Sequence, residues 1–241
     1  MRQLEINILN KLKKDFPAEI EVLENGMDTL VMCSELLKDP SSPYHKSSHA
    51  LDDLLKAGAK ERCLITQKML LIHSIETFKA SRLLLLTGYI GPAMSSLRTS
   101  YESFQNAHIC SLLDEQAIRF LTGKVINKKV EIPTPIQLEA ETAKDIKRAL
   151  SNVGVHPSYK SLEVQGYFEA SIFEDEHKVS YEFYFLRSLW SFFTVQLYLL
   201  VYLVEKWPKL IKEIPNVVQV ATDMRGMIDS TMDGWQKRAK D

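Results

Sequence analysis

Apolar residues recur along this chain at steps of three and four, the spacing that places them on one side of an α-helix. After Pro17, the residues Ile20, Leu23, Met27, Leu30, Ser34 and Leu37 form one such stripe. Asp39-Pro40 ends it, because proline lacks the N–H that the next helical turn needs. A polar loop at 41–46 leads to a brief helix carrying Leu51, Leu54 and Leu55, which stops near Gly58. From Ala59 to Thr87 the chain is rich in Leu and free of Gly and Pro, which predicts a helix of many turns. Gly88 and Gly91-Pro92 follow as cap, turn and first-position proline. The spacing of Met94, Leu97, Tyr101, Phe104 and Leu112 predicts a second long helix, Pro92 to about Leu121, with Leu112 buried and Gly123 as the stop. The two make a long antiparallel hairpin on which a bundle can be built.

The second half repeats the theme with one interruption. Thr134-Pro135-Ile136-Gln137 combines an N-cap, a first-turn proline and a capping-box glutamine. From there Ile136, Ala140, Ala143, Ile146, Leu150 and Val153 line one helical face, and Gly154 closes it. Between His156 and His177 the spacing breaks; Leu162, Val164 and Phe168 alternate instead, which suggests a short extended or hairpin excursion near 158–175. Ser180 then caps a helix that runs to Trp207-Pro208. Its segment from Phe183 to Val204 is apolar on nearly all sides and approaches the ~20 residues of a bilayer span. Arg187, Ser191, Thr194 and Gln196 interrupt it, and such groups are costly in lipid. The centre of a bundle suits it better, and no stable membrane insertion is expected. After Pro215, Val217, Val220, Met224, Met227, Ile228 and Trp235 mark a last amphipathic helix. The expected fold class is all-α, an antiparallel bundle in one domain over residues 1–241. Residues 60–205 are its core, with N-terminal helices in 1–58 and a C-terminal helix in 209–241.

Charge and cysteine usage narrow the setting. Lys plus Arg number 30 against 31 Asp plus Glu, a net charge of -1, so no global field draws nucleic acid and only a local patch would serve. Cys33, Cys63 and Cys110 stand far apart without a C-x-x-C pair, each in an apolar helical stretch where a thiol packs as a small hydrophobe. A reducing, cytoplasmic setting fits free thiols. The stretch MRQLEINILNKLKKDF mixes charge and apolar residues too closely for the apolar core of a signal peptide.

Five constellations bear on chemistry. Arg98 and Glu102 lie four apart beside the apolar stripe, a pair expected to be partly buried, either fixing helix register or walling a polar pocket. His156 sits where a helix C-terminus meets Pro157; the partial negative charge there favours its protonated form, making it the best acid/base candidate. The bland alternative is a histidine capping carbonyls. His45 and His49 share a helical spacing but follow Ser-Ser-Pro with no carboxylate partner. Glu174 and His177 supply one Glu-x-x-His and His73 with Glu76 its reverse, whereas a di-metal bundle needs two such pairs. No metal or cofactor is therefore expected. Lys124, Lys128 and Lys129, followed by Lys144, Lys147, Arg148 and Lys160, form the most basic stretch, which suits phosphates or simply a solvated face.

An all-helical bundle with Arg98-x-x-x-Glu102 on one helix and Leu150-Ser151-x-x-x-x-His156-Pro157 at the end of another resembles the HEPN-like proteins (higher eukaryotes and prokaryotes nucleotide-binding). The likeness spans about residues 60–205. It implies a dimer, often a toxin or defence-type ribonuclease, with non-catalytic members beside them. In the ribonuclease subset an arginine and a polar residue precede the histidine at short spacing. Here Arg148 and His156 are separated by seven residues, and Ala149 takes the polar position. What the resemblance implies is His156 as general acid/base, Arg98 or Arg148 stabilising phosphorane charge with Glu102 beside it, and RNA held by Lys124, Lys128, Lys129 and Lys147. A non-catalytic interaction or regulatory bundle is the alternative.

Overall fold

The protein is described from a computed structural model, which defines residues 3–38, 50–126, 150, 178–208, 212–214 and 216–238. Among these, all regular structure is helical: α1 (Gln3–Asp15), α2 (Pro17–Leu37), α3 (Ala50–Lys56), α4 (Ala59–Leu86), α5 (Ile90–Leu112), α6 (Asp114–Leu121), α7 (Lys178–Lys206) and α8 (Val217–Arg238). The fold is an all-α helical bundle. The sequence-predicted helix at 136–153 and the excursion near 158–175 lie outside the described residues, apart from Leu150, which is buried.

Helix ends follow local chemistry. α4 finishes at Gly88, whose φ of 90° places it in the left-handed region. There the N–H of Tyr89 reaches Leu84 O at 2.9 Å and that of Gly88 reaches Leu85 O at 3.1 Å, capping two last-turn carbonyls. Gly123, at φ 72°, ends α6 in the same way, with Lys124 N donating to Arg119 O at 2.7 Å. Two starts fall earlier than the sequence predicts. α5 begins at Ile90, so Pro92 occupies its third position, still within the turn whose N–H groups have no helical partner. α7 begins at Lys178, which puts Ser180 inside the helix rather than at its cap.

The expected continuous helix from Pro92 to Leu121 is in fact two. Leu113 takes extended angles, φ −129° and ψ 107°, and α6 starts at Asp114. The bend turns Leu112 outward to 49% exposure, where a straight helix would have buried it. No glycine or proline marks the spot. The residue that holds it is Arg62 of α4, as the site geometry below makes clear.

α4 and α5 pack antiparallel. Ser74 Oγ donates to Ser100 O and Ser100 Oγ returns to Ser74 O, both at 2.8 Å, while Ser81 Oγ reaches Ala93 O at 2.6 Å. Serine hydroxyls meet the opposing backbone only where two helices approach closely, so these small side chains set the spacing. Each buried hydroxyl is also satisfied by a carbonyl, which removes its desolvation penalty.

α7 sits against most of the bundle. Phe78 of α4 meets Phe192 edge-on at 5.4 Å, and Gln67 of α4 meets Tyr202. Positions rise on α7 as they fall on α4, so the two run antiparallel. Phe16 packs on Tyr181 and Phe185, and Gln196 Nε2 donates to Leu23 O at 3.1 Å, tying α7 to the α1–α2 corner and to α2. Ser191, Thr194 and Gln196, which break the apolar run, are all buried. Thr194 satisfies its hydroxyl on Trp190 O at 2.7 Å. By length and composition Tyr181–Lys206 is apolar enough to cross a membrane; in this fold 72% of its most apolar window is buried inside the protein.

The α2 stripe is buried throughout, Ile20, Leu23, Met27, Leu30, Ser34 and Leu37 alike. In α8, Val217 and Met224 are fully enclosed while Val220, Met227 and Ile228 pack against the core from its edge. One contiguous apolar cluster runs from Ile8 to Met224, so α1, α2 and α8 share the core that α4, α5 and α7 build.

Candidate functional site

Two places on the bundle concentrate polar chemistry. The first is the outer flank of α5. Arg98 Nε donates to Glu102 Oε1 at 2.9 Å, one helical turn away, as the four-residue spacing requires. Their side chains are 33% and 38% exposed, so the pair is partly buried, as expected. The reason lies in the helix phase. The buried face of α5 is carried by Ala93, Leu97, Ser100, Tyr101, Phe104 and Ala107, and positions 98 and 102 fall on its shoulder. One turn further along, Asn106 keeps Oδ1 buried with no hydrogen-bond partner among the described residues.

The second place is the end of the bundle where α3, α4, α5 and α6 meet. Arg62 is 8% exposed and acts as a clamp. Its Nε and Nη2 hold the two carboxylate oxygens of Asp114 at 2.7 Å each, the fork-to-fork geometry that guanidinium and carboxylate favour. Its Nη1 donates to Leu55 O and Ala57 O, both at 2.8 Å, which caps the C-terminus of α3. One side chain thus ties the end of α3 to the start of α6, and this accounts for the bend at Leu113. The Arg62 guanidinium holds the Asp114 carboxyl below its ordinary value.

That direction carries a pH prediction. The unfolded carboxyl titrates near 3.9, and the folded one lower, so the clamp contributes its full stability above the unfolded value and loses it as pH falls through the folded one. Asp114→Asn should therefore flatten the acid limb of stability against pH, measured by thermal melts between about pH 2 and 6, and leave the neutral-to-basic limb unchanged in slope.

Beside the clamp opens a cleft of about 350 Å³. Lys60, Cys63, Leu64 and Gln67 of α4 form one wall, and Ser111, Leu112 and Asp114 the other. A buried chain of hydrogen bonds runs inward from its floor: Gln67 Nε2 donates to Tyr202 Oη at 2.7 Å, and His108 Nδ1 lies 3.4 Å from that oxygen. Ser111 Oγ donates to His108 O at 2.7 Å. Burial raises the Tyr202 phenol above its usual range, against the opposing pull of Ser111 and Gln67, so it is a neutral hydroxyl at physiological pH.

None of the three thiols is activated. Burial pushes Cys33 and Cys110 up to about 12. Cys63, partly open to the cleft, is raised by burial and by the Asp114 carboxylate 4.0 Å away, with Arg62 opposing. Thiolate chemistry needs the reverse shift. His73 and Glu76 are both exposed on α4, and Glu76 accepts from Lys38 Nζ at 3.2 Å. Among the described residues no three His, Cys, Asp or Glu side chains gather as a metal would require.

Of the sequence-predicted site residues, Arg98 and Glu102 are thus brought together, and Lys124 is exposed just past α6. Arg148, His156, Lys128, Lys129 and Lys147 lie outside the described residues, as do His45, His49, Glu174 and His177. The clamp and the cleft were not anticipated. Their partners stand 52 and 135 residues apart, so no local spacing announces them. Arg62 and Gln67 are two among many polar residues of α4, and only the fold shows that these two are buried.

These observations define the class: an all-helical bundle with a partly buried Arg–Glu pair on one helix and a clamped, mixed-polarity cleft at one end. Comparison with family models, with curated proteins and with solved structures gives no match for the chain.

Proposed function

We propose that the protein is an RNA-directed, HEPN-like bundle in which Arg98 faces a phosphate and Glu102 orients it. The observation that carries this reading is the state of the pair. The pair is only partly buried, about a third of each side chain reaching solvent, where a four-residue helix pair is worth only about 0.3–0.5 kcal/mol. It also spends Nε on Glu102, which leaves the two Nη groups as a donor fork matched to phosphate oxygens. In this reading His156 is the acid/base, Arg148 or Arg98 stabilises charge at phosphorus, and Lys124, Lys128, Lys129 and Lys147 hold the strand. The protein acts as a cytoplasmic homodimer, without membrane insertion.

Arg98→Ala should then lower RNA cleavage or binding about 100-fold, the usual loss for one charge-stabilising donor. His156→Ala should abolish cleavage. Melting temperature should stay within about 2 °C of wild type for Arg98→Ala, as expected for an exposed pair. RNA integrity after expression, filter binding at fixed salt and a thermal melt supply the readouts. Equal RNA handling by all variants would refute the reading.

A second reading, a non-catalytic interaction bundle, is favoured by one surface. Leu51, Leu64, Leu112, Ile118 and Val125 are 37–81% exposed, and all belong to the α3–α6 end. Apolar side chains gathered at one end suit a partner's surface. Under this reading Arg98→Ala leaves RNA untouched, and substitution of Leu112 or Val125 by Lys lowers the apparent mass in gel filtration.

A further inference from the structure

We infer that the cleft beside the Arg62–Asp114 clamp is a binding site for a small neutral molecule with a carboxamide-type head and an apolar body. This site is separate from the Arg98–Glu102 flank, on the opposite stretch of α5, and does not depend on the RNA reading.

The inference starts from the floor. Gln67 is 5% exposed, yet its amide lines the cleft. One N–H is committed to Tyr202 Oη at 2.7 Å, and that phenol is anchored in turn by its contact with His108. A primary amide has two N–H donors and a carbonyl acceptor. What Gln67 has left for an occupant is one donor and one acceptor on the same planar group, held in a fixed orientation by the buried phenol. The complement of that edge is another amide edge, which offers an acceptor and a donor side by side.

Of the other lining side chains Lys60 is an exposed cation on the α4 wall, while the floor beside Gln67 carries no unpaired charge. Asp114 would attract an ammonium, but both its oxygens are already held by Arg62. The Cys63 thiol stays protonated, held there by burial and by Asp114, so it adds no negative charge and no nucleophile. Ser111 spends its proton on His108 O and also bonds the Tyr202 phenol, so its hydroxyl helps to fix the floor on which Gln67 is held. Two apolar side chains line the opening, Leu64 of α4, 44% exposed, and Leu112 from the end of α5, 49% exposed. Their position, with Leu112 turned out by the bend at Leu113, fits a flat hydrocarbon body above the polar floor. The cleft volume of about 350 Å³ lies at the small end of known ligand pockets, enough for a molecule of fragment size.

The test compares three probes of one shape. Benzamide, benzoate and toluene are titrated into the isotope-labelled full-length protein while the side-chain NH₂ signals of Gln67 and the backbone signals of Ser111 and Cys63 are followed. Benzamide should give saturable shifts at these three positions with a dissociation constant in the millimolar range, as its size allows. Benzoate, which lacks the donor half of the amide edge, and toluene, which lacks both halves, should bind at least about tenfold more weakly. Leu64→Lys, an exposed change that leaves the floor intact, should weaken benzamide several-fold. Gln67→Met, checked for an unchanged fold by its spectrum, should remove the preference for benzamide over toluene. Binding of benzoate as tight as benzamide overturns the proposal, as do shifts that spare Gln67, or the absence of saturation up to the solubility limit. Insensitivity to Leu64→Lys does the same.

Discussion

Phe78→Ala should destabilise the protein by about 3–5 kcal/mol, the usual cost of emptying a fully buried aromatic site. Phe78 is wholly enclosed, and its ring meets Phe192 edge-on at 5.4 Å, where α4 crosses the centre of α7. Three losses add at that point: the transfer free energy of the ring, the favourable edge-to-face contact, and the contacts of every atom left lining the void. The cavity cannot collapse easily. The serine hydrogen bonds at Ser74 and Ser81 hold α4 against α5 on either side of position 78 and resist its moving inward. For a chain of this size the melting temperature should fall by roughly 6–20 °C. Phe78→Leu, which keeps most of the volume, should recover more than half of the loss. A fall of under about 1 kcal/mol for the alanine variant would show that α4 and α7 do not meet at this residue.

Gly26 is the second position where a large effect is expected, and there the structure reverses the sign that local propensity suggests. Gly26 lies in the interior of α2, and replacing such a glycine by alanine ordinarily stabilises a helix by about 1 kcal/mol. Here a Cβ would come 2.1 Å from Met224 Cε and 2.6 Å from Gln196 Nε2. The methionine is flexible and can swing away. Gln196 cannot do so freely, because its Nε2 donates to Leu23 O and its Oε1 is already buried without a partner. Displacing it would leave a second polar group unsatisfied. Gly26→Ala should thus be net destabilising by about 1–2 kcal/mol, and Gly26→Leu by about 3 kcal/mol or more, the range of overpacked cores. Urea melts of both variants test this. Coupling to Met224→Ala offers a sharper check, since removing the methionine should relieve part of the alanine penalty and make the two changes non-additive.

The three helices that meet at Gly26 also show how the parts of the chain cooperate. α2, α7 and α8 come from the beginning, the late middle and the end of the sequence, and they touch through one glycine, one glutamine and one methionine. The Arg62 clamp does the same for α3, α4 and α6. Both use polar or small residues on the buried faces of amphipathic helices to join elements distant in sequence.

The α-helical class, most helix limits and the buried faces of α2 and α8 were legible in the chain itself. Those features follow from spacing, proline and glycine, each of which acts within a few residues. Ile20 to Leu37 reads as one buried stripe because an isolated helix already has two unlike sides, and water decides which of them turns inward. The closeness of Arg98 to Glu102 was equally readable, since both sit on one helix. Other features belong to the assembled bundle alone. The break at Leu113 has no local marker; it exists because Arg62, on another helix, captures Asp114. The exposure of Arg98 and Glu102 depends on which neighbours cover the shoulder of α5, and the cleft depends on where α6 is pulled. Spacing along a helix reports the periodic geometry of one backbone, whereas a clamp, a cleft or a close approach arises from the placement of several backbones at once, and that placement is set by packing in three dimensions.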